Sequence, residues 1–283
     1  MRSHFTPQSV GKPKMRSHFV SGAAMACAVT GATAMLTSIC SGQVAYDTAG
    51  NATYSGGWLA GQNGGYGFGA WSFNNTDATP PGLYQGLSSA QSIGTAWTLL
   101  NQSSSSGLAN AGRAITGGLQ SGQTFETVIQ NPGANNFYRG FDILFYNGID
   151  NLAPGDNTSA IRLSVFNYGT QFWSIDDVGS TSTPLDAPTT AAAGVRIDLT
   201  LTSATTYSLT MTPLNAATPY TQIGTFAGPI NYVDYREWDT ASAGLNDAAN
   251  NFGISYMQVI PEPSALALIG LGSAGLLFLR RRK

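Results

Sequence analysis

The stretch Val195-Arg196-Ile197-Asp198-Leu199-Thr200-Leu201 places an apolar residue at every second position and a polar one between. A helix would scatter the two sets around its circumference. Only an extended strand puts all four apolar side chains on one face. The pattern recurs: Tyr207, Leu209 and Met211 alternate with Ser208 and Thr210, and Val233 and Tyr235 alternate with Tyr232, Asp234 and Arg236. Segments of this kind fall at 93–100, 112–119, 123–130, 137–148, 160–169, 171–177, 193–201, 205–213, 220–228, 230–238 and 252–260. The separators are rich in Gly, Asn, Asp, Pro and Ser. So many short alternating strands predict an all-β fold, an antiparallel β-sandwich of jelly-roll type. In NGGYGFGAW (63–71) rings alternate with glycine, which predicts strands whose rings share a face. The one short helix expected inside the body is at 241–250.

Composition suits a folded β protein. Charged residues are 10% of the 283, against an ordinary quarter or so. The chain carries 12 Tyr, 13 Phe and 5 Trp, whereas disordered chains run to more charge and fewer rings. Its 34 glycines follow no three-residue period, which excludes a collagen-like helix. No linker divides the body, so residues 43–260 are expected to form one domain. The longest unpatterned stretch, 176–194, is expected to be a loop at one end of the sandwich, where binding functions often sit.

Lys12, Lys14 and Arg16 precede a run of small and apolar residues, the arrangement expected of a secretory signal peptide. Residues 1–42 are therefore read as a leader with an N-terminal signal helix. MRSHF occurs at 1–5 and again at 15–19, which makes Met15 a second candidate start. Cys27, Cys40, His4 and His18 all lie in this leader, so residues 43–260 hold no His, Cys or Lys. The same span has fourteen Asp/Glu against five Arg, a net charge of −9. Such a body repels phosphate backbones, and nucleic acid is not an expected partner.

The absence of His and Cys from the body removes the common nucleophile–base pairs and the imidazole and thiolate metal sites. Carboxylate chemistry remains. Glycoside hydrolysis requires two carboxylates flanking the scissile bond, but the only glutamates in the body, Glu126 and Glu237, are about 110 residues apart. Asp234 and Glu237 are three apart and so face opposite sides of a strand. Asp142 is expected at the surface. Asp150 and Asp156 flank a Pro-Gly turn, and Asp176 and Asp177 are adjacent. These four are candidate oxygen ligands for a structural Ca²⁺, and no other cofactor is expected. Sugars stack on rings, which makes Trp71, Trp173 and Trp238 candidate carbohydrate-binding residues.

The chain closes with Pro261-Glu262-Pro263, an apolar run at 264–279, and the basic cluster Arg280, Arg281, Arg282 and Lys283. The apolar run spans roughly 22–24 Å as a helix, short of a hydrocarbon core of about 30 Å. It is read as a C-terminal transmembrane-like helix. The three parts, in this order, resemble the PEP-CTERM sorting signal of Gram-negative bacteria, here at 261–283. The resemblance implies export, transient inner-membrane association and processing near the Pro-Glu-Pro by an exosortase-type enzyme. It also implies a final place at the cell surface or in the extracellular matrix. The body more loosely resembles concanavalin A-like lectin and laminin-G-like sandwiches, through NGGYGFGAW, FYRGFDILFYNG, FWSIDD and VRIDLTLTSATTYSLTMTP. It lacks the clustered acidic strand of that fold's catalytic members. The expectation is thus an exported, non-enzymatic protein that binds extracellular polysaccharide. The alternatives are an envelope or biofilm structural protein without a sugar site, and a weak polysaccharide-active hydrolase.

Overall fold

A computed structural model describes residues 43–75, 83–91, 93–101, 108–130, 139–147, 161–167, 171–178, 180–185, 193–215, 218–239 and 252–261. All of them belong to one unit, Gly42–Lys283. The strands among them are β1 (Ala45–Thr48), β2 (Ser72–Asn75), β3 (Leu83–Gln91), β4 (Gly94–Asn101), β5 (Leu108–Leu119), β6 (Gln123–Gln130), β7 (Arg139–Tyr146) and β8 (Ile161–Asn167). They continue with β9 (Gln171–Asp177), β10 (Ser180–Leu185), β11 (Val195–Leu201), β12 (Thr206–Pro213), β13 (Tyr220–Thr225), β14 (Ile230–Asp239) and β15 (Phe252–Pro261). They form two antiparallel sheets. One runs β13-β12-β11-β6-β15-β4-β3, with β1 also paired to β15; the other runs β10-β9-β8-β7-β14-β5-β2.

The alternation that predicted strands also decides which faces meet. Val195, Ile197, Leu199 and Leu201 of β11 are buried, as are Tyr207, Leu209 and Met211 of β12. From the other sheet, Phe141, Ile143 and Phe145 of β7 and Val233 and Tyr235 of β14 join the same apolar cluster. Edge-to-face rings densify it. Trp58 meets Trp71 at 4.9 Å between centroids, and Trp71 meets Trp97 at 5.1 Å. Such pairs add about 0.5–1.5 kcal/mol each beyond their area.

Through the core runs one ion pair that joins the sheets. Asp47 on β1 accepts a 2.6 Å bond from Nη1 of Arg113 on β5, and both side chains are fully buried. Nε and Nη2 of Arg113 donate to the Gly69 carbonyl at 2.9 and 2.6 Å, and Nη2 also reaches Asn63 Oδ1 at 2.6 Å. The guanidinium lies 5.0 Å from the Phe68 ring centroid and 4.7 Å from that of Trp71. Tyr54 donates its hydroxyl to Asp47 Oδ2 at 2.5 Å and accepts from Trp71 Nε1 at 3.2 Å. Burial raises the Tyr54 pKa, reinforced by that bond to Asp47.

The glycines of NGGYGFGAW permit this arrangement. Tyr66 bridges to Tyr46 and Phe68 to Ile115, so the segment laces β1 to β5. A Cβ on Gly65 would lie 1.9 Å from the Tyr46 carbonyl oxygen, and one on Gly67 (φ +73°) 2.3 Å from that of Val44. The left-handed turn at Gly67 also breaks the expected sharing of a face: Phe68 is buried, whereas Tyr66 is half exposed.

Three expectations are corrected. The fold is an all-β antiparallel sandwich, but the signal helix and the transmembrane-like helix are not part of it. Among the described residues no helix is long and apolar enough to cross a membrane, and Ala52–Tyr54 form a single 3₁₀ turn. The reason is periodic: these residues alternate every two positions and are broken by glycine, which leaves no long apolar run to wind. Residues 1–42, 262–283 and 241–250 lie outside the described residues. The stretch 176–194 is not one loop, because Ser180–Leu185 pair with β9 as strand β10. Its Pro184 is tolerated because β10 is an edge strand. Asp142 is buried rather than at the surface.

Removing one partner of the Asp47–Arg113 pair leaves the other charged and without water. Asp47→Ala is expected to lower unfolding stability by about 3–5 kcal/mol. Chemical denaturation of the purified protein checks this; a loss below about 1 kcal/mol would contradict the role given to the pair.

Candidate functional site

The outward face of the seven-stranded sheet carries a polar row across the strands. Ladder register sets Asn110 opposite Arg236 and Arg236 opposite Asp142. Strand alternation explains the row. Ala109, Ala111, Phe141, Ile143, Val233 and Tyr235 point into the core, so the residues between them point away. Arg236 donates from Nε to Asp234 Oδ2 at 3.0 Å and from Nη2 to the Tyr146 hydroxyl. Leu144, Tyr146 and Tyr232 make a small apolar cluster beside it. Burial pushes the Tyr146 hydroxyl well above the ordinary tyrosine range, against the opposing pull of Arg236. The Arg236 pKa is raised despite a desolvation penalty, because Asp234, Tyr146 and Asp142 surround it.

A cavity of about 530 Å³ opens at the end of this face. Ala114, Thr116, Gln120, Pro229, Asn231 and Tyr232 contribute to its wall, and Gly117 and Gly118 leave backbone bare within it. Both glycines have positive φ, 80° and 70°, where β5 bends into its turn. The wall combines a ring, amides, a hydroxyl and exposed peptide groups.

The outward face of the eight-stranded sheet holds a second constellation. Asp198 and Glu126 stand directly opposite in the β11–β6 ladder, and Gln258 stands opposite Glu126. Glu126 Oε1 accepts from the Tyr256 hydroxyl and, at 2.6 Å, from Gln258 Nε2. Arg196 Nε donates to Asp198 Oδ2 at 3.1 Å. The Asp198 pKa is raised to about 6, first by desolvation, while Arg196 lowers it and Glu126 raises it through charge and a side-chain hydrogen bond. No acidic residue flanks Glu126 in the chain. The partner lies 72 positions away in the chain and only the ladder brings it near. Asp234 and Glu237 do take opposite faces of β14, as their spacing predicted: Asp234 bonds Arg236 on the outward face, and Glu237 shares the inward parity of Val233 and Tyr235.

The predicted sugar-stacking residues fall elsewhere. Trp71 and Trp173 are core residues, 2% and 1% exposed, and their rings are packed against other rings. Trp71 meets Trp97 of the eight-stranded sheet, and Trp173 meets Phe141, two strands away in its own sheet. Trp238 lies near the end of β14, opposite Gly140 and Leu108. Asp177 Oδ2 accepts the Tyr207 hydroxyl at 2.9 Å, which ties β9 to β12. Burial and that bond hold the Tyr207 pKa far above its ordinary value. Asp176 is half-buried beside it. Among the described residues no three His, Cys, Asp or Glu gather as a metal site. Asp150 and Asp156 lie outside the described residues. Pro261 ends β15 opposite Gln123, and Glu262, Pro263 and Arg280–Lys283 lie beyond the described residues.

Comparison with known proteins bears on the tail first. Residues 259–283 match the PEP-CTERM protein-sorting motif. The chain carries that sorting motif on the last strand of its sandwich. No curated protein is significantly similar to it in sequence. Among solved structures, a protein of unknown function from Shewanella oneidensis MR-1 is 13% identical, with a TM-score of 0.48 over 90% of this chain and 98% of that one. The Ca²⁺/Man3GlcNAc-bound VIP36 exoplasmic/lumenal domain is 12% identical, with a TM-score of 0.44 over 68% and 84%. Lectin II from Ulex europaeus is 9% identical, with a TM-score of 0.42 over 73% and 96%. At these scores none of the three says what this chain binds.

The raised Asp198 pKa has a sign that can be measured. A carboxyl that holds its proton more tightly when folded stabilises the fold below its unfolded pKa, and that stabilisation is lost as pH rises through about 6. Its size, discounted for partial exposure, is about 1–2 kcal/mol. Asp198→Asn is expected to remove that slope between pH 4 and 7 in thermal unfolding, and an unchanged slope would contradict it.

Proposed function

We propose that this is an exported protein of the cell surface or extracellular matrix of a Gram-negative-type bacterium, which binds exopolysaccharide without cleaving it. The sorting motif at 259–283 supports delivery through an exosortase-type processing enzyme with transient inner-membrane association. The observation that carries the binding part is the cavity walled by Tyr232, Asn231, Gln120 and Thr116, with bare backbone at Gly117 and Gly118. Polar groups placed beside a ring suit a sugar, which offers hydroxyls at its edge and C–H groups on its face. The paired carboxylates do not favour hydrolysis at the cavity, because they lie on the other sheet.

Two measurements test this. Replacing Pro261-Glu262-Pro263 by three alanines is expected to leave an unprocessed chain in the membrane fraction, seen as unchanged mass; normal processing would contradict the sorting route. The purified body is expected to bind at least one polysaccharide on a glycan array, and Tyr232→Ala to weaken that binding. Parallel arrays with and without Ca²⁺ show whether the cation assists. No binding in either condition removes the glycan reading and leaves a structural protein of the envelope.

A further inference from the structure

An interruption in the β5–β14 ladder makes the cavity. Tyr232 stands opposite Ala114 and Ile230 opposite Leu119, so the β5 residues 115–118 face Asn231 alone. Such a bulge bends its strand and re-aims the side chains on it. A Cβ on Gly117 would meet nothing within 4 Å, so the space above that residue is open. Ala114, Thr116, Gly117, Gln120 and Pro229 are exposed and Asn231 is half-buried, so solvent reaches the wall. Gln120 donates from Nε2 to the Gly117 and Gly118 carbonyls at 2.7 and 3.4 Å. Those bonds hold the side chain at the turn and leave its Oε1 as an acceptor.

The placement of the cations decides which sugars suit this wall. Residues 43–260 contain five arginines and no Lys or His. Arg113 and Arg236 are buried, each paired with an aspartate. Arg196 is on β11, in the other sheet. Arg139 stands opposite Asp239 at the far end of β14, about 30 Å from Ile230. Arg162 is on β8, three strands from β5. None of the five belongs to the wall.

We infer that the cavity admits an uncharged glycan and excludes an acidic one, with the Thr116 hydroxyl and Gln120 Oε1 as its selecting contacts. The inference rests on the glycan-binding proposal and names its ligand class. A uronate or sulfate seated there would give up water with no cation to pair with, in a body whose net charge is −9. A neutral sugar needs only donors and acceptors. One of its hydroxyls donates to Oε1, and another exchanges a hydrogen bond with Thr116.

The test uses Thr116→Ala, Gln120→Ala, the double variant and Gln120→Lys in the purified protein, with a soluble neutral glucan, a neutral mannan and polygalacturonate as probes. Wild type is expected to bind a neutral polymer and not the polyuronate. Each alanine variant is expected to weaken that binding by about threefold to tenfold. Both positions are exposed, so Tm should stay within about 2 °C. Thr116→Ala keeps the test open should Gln120→Ala disturb the turn. Gln120→Lys supplies the missing cation and is expected to gain binding to polygalacturonate; no gain would overturn the charge argument. Wild-type affinity retained in the double variant would overturn the inference while leaving the glycan reading intact. Polyuronate binding by wild type would overturn the ligand class. Absence of any wild-type binding would overturn the glycan reading and this inference with it.

Discussion

Asp47 and Arg113 form a contact that spans both layers of the sandwich, and much else is arranged around it. Two opposite charges without water hold together only if every remaining donor and acceptor is used. Arg113 meets that condition with the Gly69 carbonyl, the Asn63 amide oxygen and two ring faces. Asp47 meets it with the Tyr54 hydroxyl and the Thr48 amide. Those partners all come from residues 48–71, so one pair dictates the path of more than twenty residues. The close glycines at 65 and 67 follow from it, since no side chain fits between that segment and β1.

The two outward faces differ in a way that bears on function. The eight-stranded sheet presents polar pairs across strands, such as Thr124 with Thr200 and Glu126 with Gln258, and also Asp198 Oδ1 and Thr212 Oγ1, which have no hydrogen-bond partner among the described residues. The seven-stranded sheet presents buried charges and rings, with a cavity at one end and, at Asn110, a buried amide without a hydrogen-bond partner among the described residues. Polar groups left unpaired inside a fold reduce its stability, and they persist where a ligand completes them. The cavity beside Tyr232 is what makes the seven-stranded face the proposed site.

Much of the fold was legible. Strands β6 and β9 have the ends that their alternation predicted, and β11, β12 and β15 differ by one or two residues. β1, β3 and β10 were missed, and for a common reason. AYDT, LYQGLSSAQ and STSTPL lack a clean apolar alternation, and they are strands because a neighbour offers hydrogen bonds. The site was less legible. Rings were judged by type, and a tryptophan's type does not say whether the opposite sheet will cover it. Trp71 and Trp173 are covered; Tyr232, buried like them but in the wall of the cavity, is not set apart by anything local in the sequence.

The sequence alone determined the all-β class, the outward and inward sets on each strand, the acidic body free of His and Cys, and the sorting motif at the C-terminus. Each of these depends on residues near one another in the chain, where period and order are enough. Tertiary structure alone decided that Asp198 stands opposite Glu126, that Asp47 meets Arg113, and that Asn110 stands opposite Arg236. Those pairings depend on which strands become neighbours and in what register. A shift of one residue would reverse every face, and nothing local in the chain records it.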